Sequence, residues 1–210
     1  ATNYTTSALI MMKTYFLKSI CLGLIPFICL TGCQTVSKAT HKVGNMVGLS
    51  QEDVPQANKK GIVDVSDSNI SQLEQLTENL PNDQWSYIEN KKQDIYNLKN
   101  KAKTGDVLSL KLNCNVASQK PTFSIENTDG QVLLKAYDEQ AGQIQFLLDN
   151  KNYGNIFGLG QAKQLAAFKN QVTHAKVIKI YNRGKLYSFS NNKAELLSKP
   201  VSCKANSSLR

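Results

Sequence analysis

Apolar residues recur every three or four positions in the segment that precedes Pro81. Because an α-helix has 3.6 residues per turn, residues with this spacing lie on one helix face and can pack against the rest of the protein. Proline lacks a backbone N–H and ends a helix near the residue before it. The pattern therefore predicts an amphipathic helix before Pro81, with an apolar face made of Ile70, Leu73, Leu76 and Leu80.

The same spacing continues after Pro81 and predicts a second helix that ends at Gly105. Asn82 or Asp83 would cap its first turn, because a short polar side chain accepts a hydrogen bond from a free N–H group there. Glycine is favoured just past the last turn, which fits Gly105. The two helices together predict a helical segment over residues 62–105. The apolar face of the second helix would carry Trp85, Ile88, Ile95, Leu98 and Ala102.

From residue 107 the apolar period changes to two, which is the period of a β-strand with one buried face. Cys114 lies in phase with the leucines of this strand, so its side chain would point into the core. The leucines are Leu108, Leu110 and Leu112. Another strand is predicted around Ile144, Phe146 and Leu148, and a short helix from Gln161 to Val172 through Leu165 and Phe168.

Two hairpins can be placed in register from their turn residues. An Asp-Gly pair between alternating apolar residues favours a two-residue turn of type I′, and an Arg-Gly pair marks a second two-residue turn. Such turns fix the pairing of the flanking strands. The turn at Asp129-Gly130 pairs Ile125 with Leu134, Phe123 with Ala136 and Ser124 with Lys135. The turn at Arg183-Gly184 pairs Ile180 with Tyr187 and Ile178 with Phe189, and leaves Lys179 and Tyr181 on the opposite face.

These elements predict an α+β fold with a single main domain. The helical segment would be followed by a mainly antiparallel, β-sandwich-like domain over residues 106–210, with one packed helix and five or six strands. Residues 33–61 are polar with scattered apolar positions and have no sustained period. They are predicted to form a flexible tether.

The N-terminal residues have the pattern of a secretory signal peptide. If Met11 or Met12 is the initiator, residues 1–10 are extra and residues 11–32 form the signal peptide. A basic stretch without acids precedes an apolar run at positions 20–30. A helix needs about 20 apolar residues to cross the hydrocarbon core of a bilayer, so this run is too short to be a transmembrane span.

The end of this signal, Leu30-Thr31-Gly32-Cys33, resembles the lipobox of bacterial lipoproteins. The resemblance implies cleavage before Cys33, a diacylglycerol on its sulfur and permanent anchoring in a lipid bilayer. Gln34 stands where an Asp usually retains such lipoproteins in the inner membrane. The expected location is therefore the outer membrane of the cell envelope, facing the periplasm or the cell surface. The alternative is an ordinary cleaved signal peptide in which Cys33 has no role.

Two cysteines remain in the predicted domain, because Cys21 and Cys29 leave with the signal peptide and Cys33 is acylated. In an oxidising compartment Cys114 and Cys203 would form a disulfide that closes the β-rich domain. The alternative is two separate buried thiols. Metal binding is not predicted, since two cysteines and two distant histidines show no ligand spacing.

The charge of the chain favours anionic neighbours. The sequence has 25 Lys and Arg against 16 Asp and Glu, a net charge of +9. Export argues against nucleic acid, which leaves a protein partner or an anionic component of the envelope. Five lysines of the predicted second helix would form either an anion-binding face or a solvated face near the negative helix end. They are Lys91, Lys92, Lys99, Lys101 and Lys103.

Little in the sequence points to catalysis, and no cofactor or catalytic residue is predicted. His41 falls in the tether and His174 near a helix end. An envelope hydrolase using Asp149, His174 or a neighbouring carboxylate is the alternative function. The stretch YGNIFGLGQAK could hold an anion through Gly158, Gly160 and Lys163, or simply connect a strand to a helix.

The sequence thus favours a non-catalytic, membrane-anchored envelope lipoprotein that binds or inhibits a protein or envelope component. Such a protein could be structural, or could resemble the immunity lipoproteins that neutralise incoming toxins, although no motif links the chain to them. The candidate contact surface combines the loop at 149–160 with the final hairpin, because Tyr and Arg often carry binding energy at interfaces. Alternatively, the lysines of the hairpin only protect a strand edge from aggregation. The hairpin candidates are Lys179, Tyr181, Arg183 and Lys185.

Overall fold

The computed structural model describes residues 54–204, all within the compact unit Leu49–Arg210. The predicted signal peptide, the lipidation site Cys33, His41 and most of the tether lie outside the described residues. The described part is mainly β, with ten strands in two sheets and two α-helices. None of its helices is long and apolar enough to span a membrane.

The larger sheet contains the first six strands side by side in chain order. The first strand pairs parallel with the second, and all the other neighbours pair antiparallel. The strands are β1 (Ile62–Asp64), β2 (Trp85–Asn90), β3 (Ile95–Lys101), β4 (Val107–Lys111), β5 (Thr122–Glu126) and β6 (Val132–Lys135). Helix α1 (Ile70–Asn79) connects β1 to β2.

The smaller sheet is antiparallel, with the strand order β10-β9-β7-β8. Helix α2 (Ala162–Val172) connects β8 to β9, and short 3-10 helices cover Glu139–Ala141 and Ala194–Ser198. The strands are β7 (Ile144–Leu148), β8 (Lys151–Gly154), β9 (Val177–Asn182) and β10 (Lys185–Ser190).

Both sheets contribute side chains to one hydrophobic core. Phe123 of β5 and Phe146 of β7 meet edge to face with ring centroids 4.9 Å apart. Phe168 of α2 is fully buried and packs against Phe146 at 5.8 Å. Such aromatic pairs add about 0.5–1.5 kcal/mol to the burial of their area. The core therefore holds the two sheets and α2 together.

The first predicted helix is confirmed. Asn69 caps α1 by accepting from the Gln72 N–H, and the Gln72 side chain accepts in return from the Asn69 N–H. This capping box satisfies two backbone donors that the helix itself leaves free. Leu76 packs into a second, smaller core, whereas Ile70 is 68% exposed and does not belong to the buried face. That core contains Val63, Val65, Leu76, Leu80 and Ile88.

The second predicted helix is wrong, because its residues form the antiparallel pair β2 and β3. Trp85 and Tyr87 point into the main core, while Ile88 points to the other side and packs in the small core with α1. Since β2 is buried on both faces, its apolar residues do not alternate, and the spacing of three imitates a helix. The predicted helical segment over 62–105 is therefore reduced to α1.

The two predicted hairpin registers are confirmed, but only one of the turns is. Arg183 and Gly184 both have positive φ, 47° and 81°, as a type I′ turn requires. In the other hairpin the Asn127 N–H donates to the Gln131 carbonyl, so the loop consists of three residues, 128–130, rather than two. A bulge between Ile125 and the end of β5 then restores the predicted pairing.

The Cys114 and Cys203 side chains form the predicted disulfide, with Sγ atoms 2.11 Å apart. The residues are separated by 89 positions, so the bridge ties the C-terminal segment to Cys114, three residues beyond the end of β4. Backbone hydrogen bonds on both sides of Val201, to Asn113 and Asn115, hold the same segment.

A buried asparagine links three parts of the structure. Asn191 is 5% exposed, and its Oδ1 accepts from Trp85 Nε1 at 2.6 Å. Its Nδ2 donates to the Val172 and Ala175 carbonyls at 2.6 and 2.9 Å. Burial of an amide is costly unless its polar atoms are paired, and here each side-chain polar atom has a partner. The residue thus fixes the end of α2 against β2 and the end of β10.

Candidate functional site

The hairpin of β9 and β10 turns one face to the core and the other to solvent. Lys179 and Tyr181 lie on the solvent face, as predicted from strand alternation. Leu186 pairs directly with Tyr181, and the two residues are 54% and 40% exposed. Strands hold both side chains in fixed positions, so an aromatic and an aliphatic group stand side by side in water. We refer to Lys179, Tyr181 and Leu186 as the outer hairpin face.

The other two predicted hairpin residues lie elsewhere. The Arg183 guanidinium donates to the Gln140 carbonyl oxygen in the 3-10 helix, so the side chain is tied back to the protein. Lys185 lies above the Tyr187 ring, with Nζ 4.5 Å from the centroid, in phase with the core-facing residues of β10. Sequence reasoning missed Leu186, although strand alternation places it outward wherever Tyr187 points inward.

The stretch of sequence that contains this face carries an excess of positive charge. Between Lys151 and Lys199 there are nine lysine or arginine residues and one acidic residue, Glu195. The ion pairs of the described residues use lysines before position 104, and none involves these nine cations. Several have neutral partners instead, such as Asn150 Oδ1 at 3.0 Å from Lys179 Nζ. Their charge is therefore available to an anionic partner.

The glycine-rich loop before α2 anchors itself in the core. Ile156 and Phe157 are buried, and the Asn155 side chain accepts from the Phe157 N–H at 3.2 Å. Leu159 is 94% exposed at the tip. Helix α2 has no side-chain cap at Gln161. This arrangement matches a connection between strand and helix that also fills the core.

The two named hydrolase candidates, Asp149 and His174, have separate hydrogen-bond partners among the described residues. Asp149 Oδ1 accepts from the backbone N–H groups of Lys176 and Val177, both at 3.0 Å, so this carboxylate organises the start of β9. His174 Nδ1 lies 3.4 Å from its neighbour Thr173 Oγ1. A general acid or base needs a partner within hydrogen-bond reach of the reacting proton. No group of three or more His, Cys, Asp or Glu residues within 54–204 could hold a metal ion.

One protein family matches the chain. The family model described as YfjT aligns with residues 83–196. This range begins just before β2, ends in the last 3-10 helix, and includes α2 and the outer hairpin face. Neither the curated proteins nor the solved structures contain a match to the chain.

Proposed function

The chain belongs to the YfjT family, and we propose that this member is a non-catalytic envelope lipoprotein that binds an acidic protein partner through its outer hairpin face. The observation that carries the binding role is the exposed pair of Tyr181 and Leu186, in a segment whose cations form no ion pair with any residue of the described range 54–204. This apolar pair, with Lys179 on the same face, suits a protein surface that is apolar in the middle and acidic at its rim.

The proposed anchor is the acylated Cys33. Its support is the sequence Leu30-Thr31-Gly32-Cys33 at the end of a short apolar run. Each buried methylene of an acyl chain contributes about 0.8 kcal/mol, so two or more chains keep a protein on the membrane. The tether that follows would let the domain reach partners at some distance from the bilayer surface.

The proposed contact is rigid, which favours binding. Tyr181 lies between Gln145 of β7 and Leu186 of β10, so both of its neighbouring strands hold it in place. Tyrosine loses little conformational entropy when it is covered, and central aromatic residues often dominate an interface. Lys179 lies on the same face and would steer an acidic partner.

Replacing Cys33 by serine tests the anchor. In a diderm host that incorporates labelled fatty acid, we expect the wild-type protein to carry label and to fractionate with membranes. The Cys33→Ser protein should carry no label, because serine has no thiol for the acyl-glycerol transfer. Cys29→Ser, which changes a cysteine within the signal peptide, is the matched control and should be labelled normally. Label on the Cys33→Ser protein would contradict the assignment.

Truncating the exposed pair tests the contact. We expect Tyr181→Ala and Leu186→Ala to change the free energy of unfolding by no more than about 1 kcal/mol, since exposed positions usually tolerate substitution. Capture of the partner by the full-length protein, measured by quantitative mass spectrometry of envelope extracts, should fall at least about tenfold if these residues are central to the interface.

Lys185→Ala serves as the control for this experiment, because its ammonium lies over Tyr187 and away from the outer hairpin face. It should retain most of the capture. Raising the salt concentration should slow association with an acidic partner. Capture that is unchanged by Tyr181→Ala and Leu186→Ala would remove the hairpin from the binding surface and leave the anchor assignment untouched.

A further inference from the structure

A second polar surface lies on the larger sheet, on the side opposite the main core. Register aligns Lys99, Ser109, Ser124 and Lys135 in one row across β3, β4, β5 and β6. Lys111 lies two residues along β4 from Ser109 and therefore on the same face. We refer to Lys99, Lys111 and Lys135, with the two serines between them, as the lysine strip.

Positive charge exceeds negative charge along the lysine strip. Glu126 is the acidic residue that faces it, with Oε2 3.6 Å from Lys99 Nζ. The side chains of this pair are only 22% and 24% exposed, so water screens them weakly. Lys99 Nζ also donates to Thr77 Oγ1 of α1 at 3.3 Å. Lys101, two residues along β3 from Lys99, lies on the same face and donates to the Glu78 carbonyl. Four lysines on this face therefore outnumber the carboxylate of Glu126.

The environment of Lys111 supports a site for an anion. Burial, together with the charge of Lys99, lowers the pKa of its ammonium to about 8, although Glu126 acts in the opposite direction. Burial and the neighbouring cation therefore disfavour the charged form of Lys111. A bound anion would stabilise that form.

Two serines, Ser109 and Ser124, lie between Lys99 and Lys135 in the row. Ser109 is only 7% exposed and stands between Lys99 and Ser124 in the row. The row continues to Ser86 on β2, whose buried hydroxyl has no hydrogen-bond partner within the described residues. Ser124 Oγ makes one long bond, 3.5 Å, to Glu126. Serine hydroxyls can donate to an anion, whereas lysines alone provide only charge.

We propose that the lysine strip binds a phosphate group, either as the free ion or as part of an anionic headgroup. A phosphate carries close to two negative charges at neutral pH, which the excess of lysines on this face can neutralise. Its oxygens accept several hydrogen bonds, and lysine binds phosphate as a point charge without needing a planar fork. The strip is separate from the outer hairpin face and does not depend on the role of that face.

Binding can be measured by titrating the isotope-labelled full chain with inorganic phosphate and following backbone amide signals by NMR. The amides of β3 to β6 should shift and saturate. Lys135→Gln, an exposed change that leaves the core intact, should weaken the affinity about tenfold, equivalent to a charge-assisted hydrogen bond of about 1.4 kcal/mol. Lys111→Gln should weaken it similarly. Lys120→Gln, at an exposed lysine in the loop after β4, is the matched control and should bind like the wild type.

A titration with sulfate separates the protein's own protonation from that of the ligand, because sulfate stays doubly charged from neutral to alkaline pH. Affinity for sulfate should fall as the pH rises from 7 to 9, since Lys111 loses its proton near pH 8. The charged groups that act on Lys111 are Lys99 and Glu126. Lys111→Gln should flatten the dependence on pH.

The source of the phosphate group is distinguished by vesicles. Binding to phosphatidylglycerol vesicles that depends on Lys135, and that phosphatidylcholine vesicles do not reproduce, assigns the site to a headgroup. Saturable binding of inorganic phosphate without such vesicle binding assigns it to the free ion. Shifts that do not saturate, or an equal loss in Lys120→Gln and Lys135→Gln, would overturn the proposal.

Discussion

Asn191→Ala is expected to destabilise the protein by at least about 3 kcal/mol. The substitution removes the acceptor for Trp85 Nε1 and the donor for the Val172 and Ala175 carbonyls. Trp85 is fully buried, so its N–H would remain without a partner. An unpaired buried polar group costs about 1–3 kcal/mol, and three groups are affected. Urea unfolding of the full-length protein measures the loss as a lower midpoint.

Asn192→Ala is the matched control for this prediction. Asn192 is the next residue and is exposed, and its backbone carbonyl accepts from the Trp85 N–H in either variant. The change removes one bond, from its side chain to the Asp83 carbonyl, so we expect a loss of about 1 kcal/mol or less. A double-mutant cycle with Trp85→Phe isolates the indole bond. Equal losses for Asn191→Ala and Asn192→Ala would show that the buried network contributes little.

Removal of the disulfide is expected to lower the free energy of unfolding by up to about 4–5 kcal/mol. The bridge spans 89 positions, and the chain-entropy model predicts a large effect for a loop of that length because the unfolded chain is strongly restrained. The backbone bonds around Val201 remain, so the C-terminal segment should stay folded in the native state of the variant. Unfolding of the double variant Cys114→Ala, Cys203→Ala measures the effect.

Wild-type protein under reducing conditions provides the comparison, since it lacks the bridge but keeps both thiol side chains. Its free energy of unfolding should match that of the double variant to within about 1 kcal/mol, which is the size of small changes in side-chain packing. Non-reducing mass spectrometry of exported protein should show Cys114 linked to Cys203. Two free thiols in that experiment, or a loss well below 1 kcal/mol in the double variant, would remove the bridge from the stability of the fold.

The elements that the sequence predicted well have one buried face. Helix α2, strand β7 and the final hairpin each bury one side, and their apolar residues repeat with the period of the element. Strand β2 is the opposite case, because Trp85 and Ile88 are buried on different faces by different cores. The period of the apolar residues shows which side of a helix or strand is buried. It cannot distinguish a helix from a strand when both sides are buried.

The candidate surfaces follow the same division. Alternation along β9 placed Lys179 and Tyr181 outward. The same alternation along β10, with Tyr187 inward, would have placed Leu186 on the same face. The contact of Arg183 with the Gln140 carbonyl joins residues 43 positions apart and could not be predicted from local pattern. The lysine strip also required the tertiary structure, because the pairing of Lys99 with Ser109 exists only if that segment is a strand.

By itself, the sequence determined the features that depend on local pattern or on residue chemistry. These are α1, the final turn at Arg183-Gly184, the apolar face of β4, and the disulfide between Cys114 and Cys203. Tertiary structure decided that the segment after Pro81 forms strands, that a bulge corrects the three-residue loop before β6, and that Asn191 joins α2 to β2. The physical reason is that these outcomes depend on which distant side chains cover each face of the backbone. Burial on a second face, a compensating bulge and a long-range hydrogen bond are properties of the packed fold.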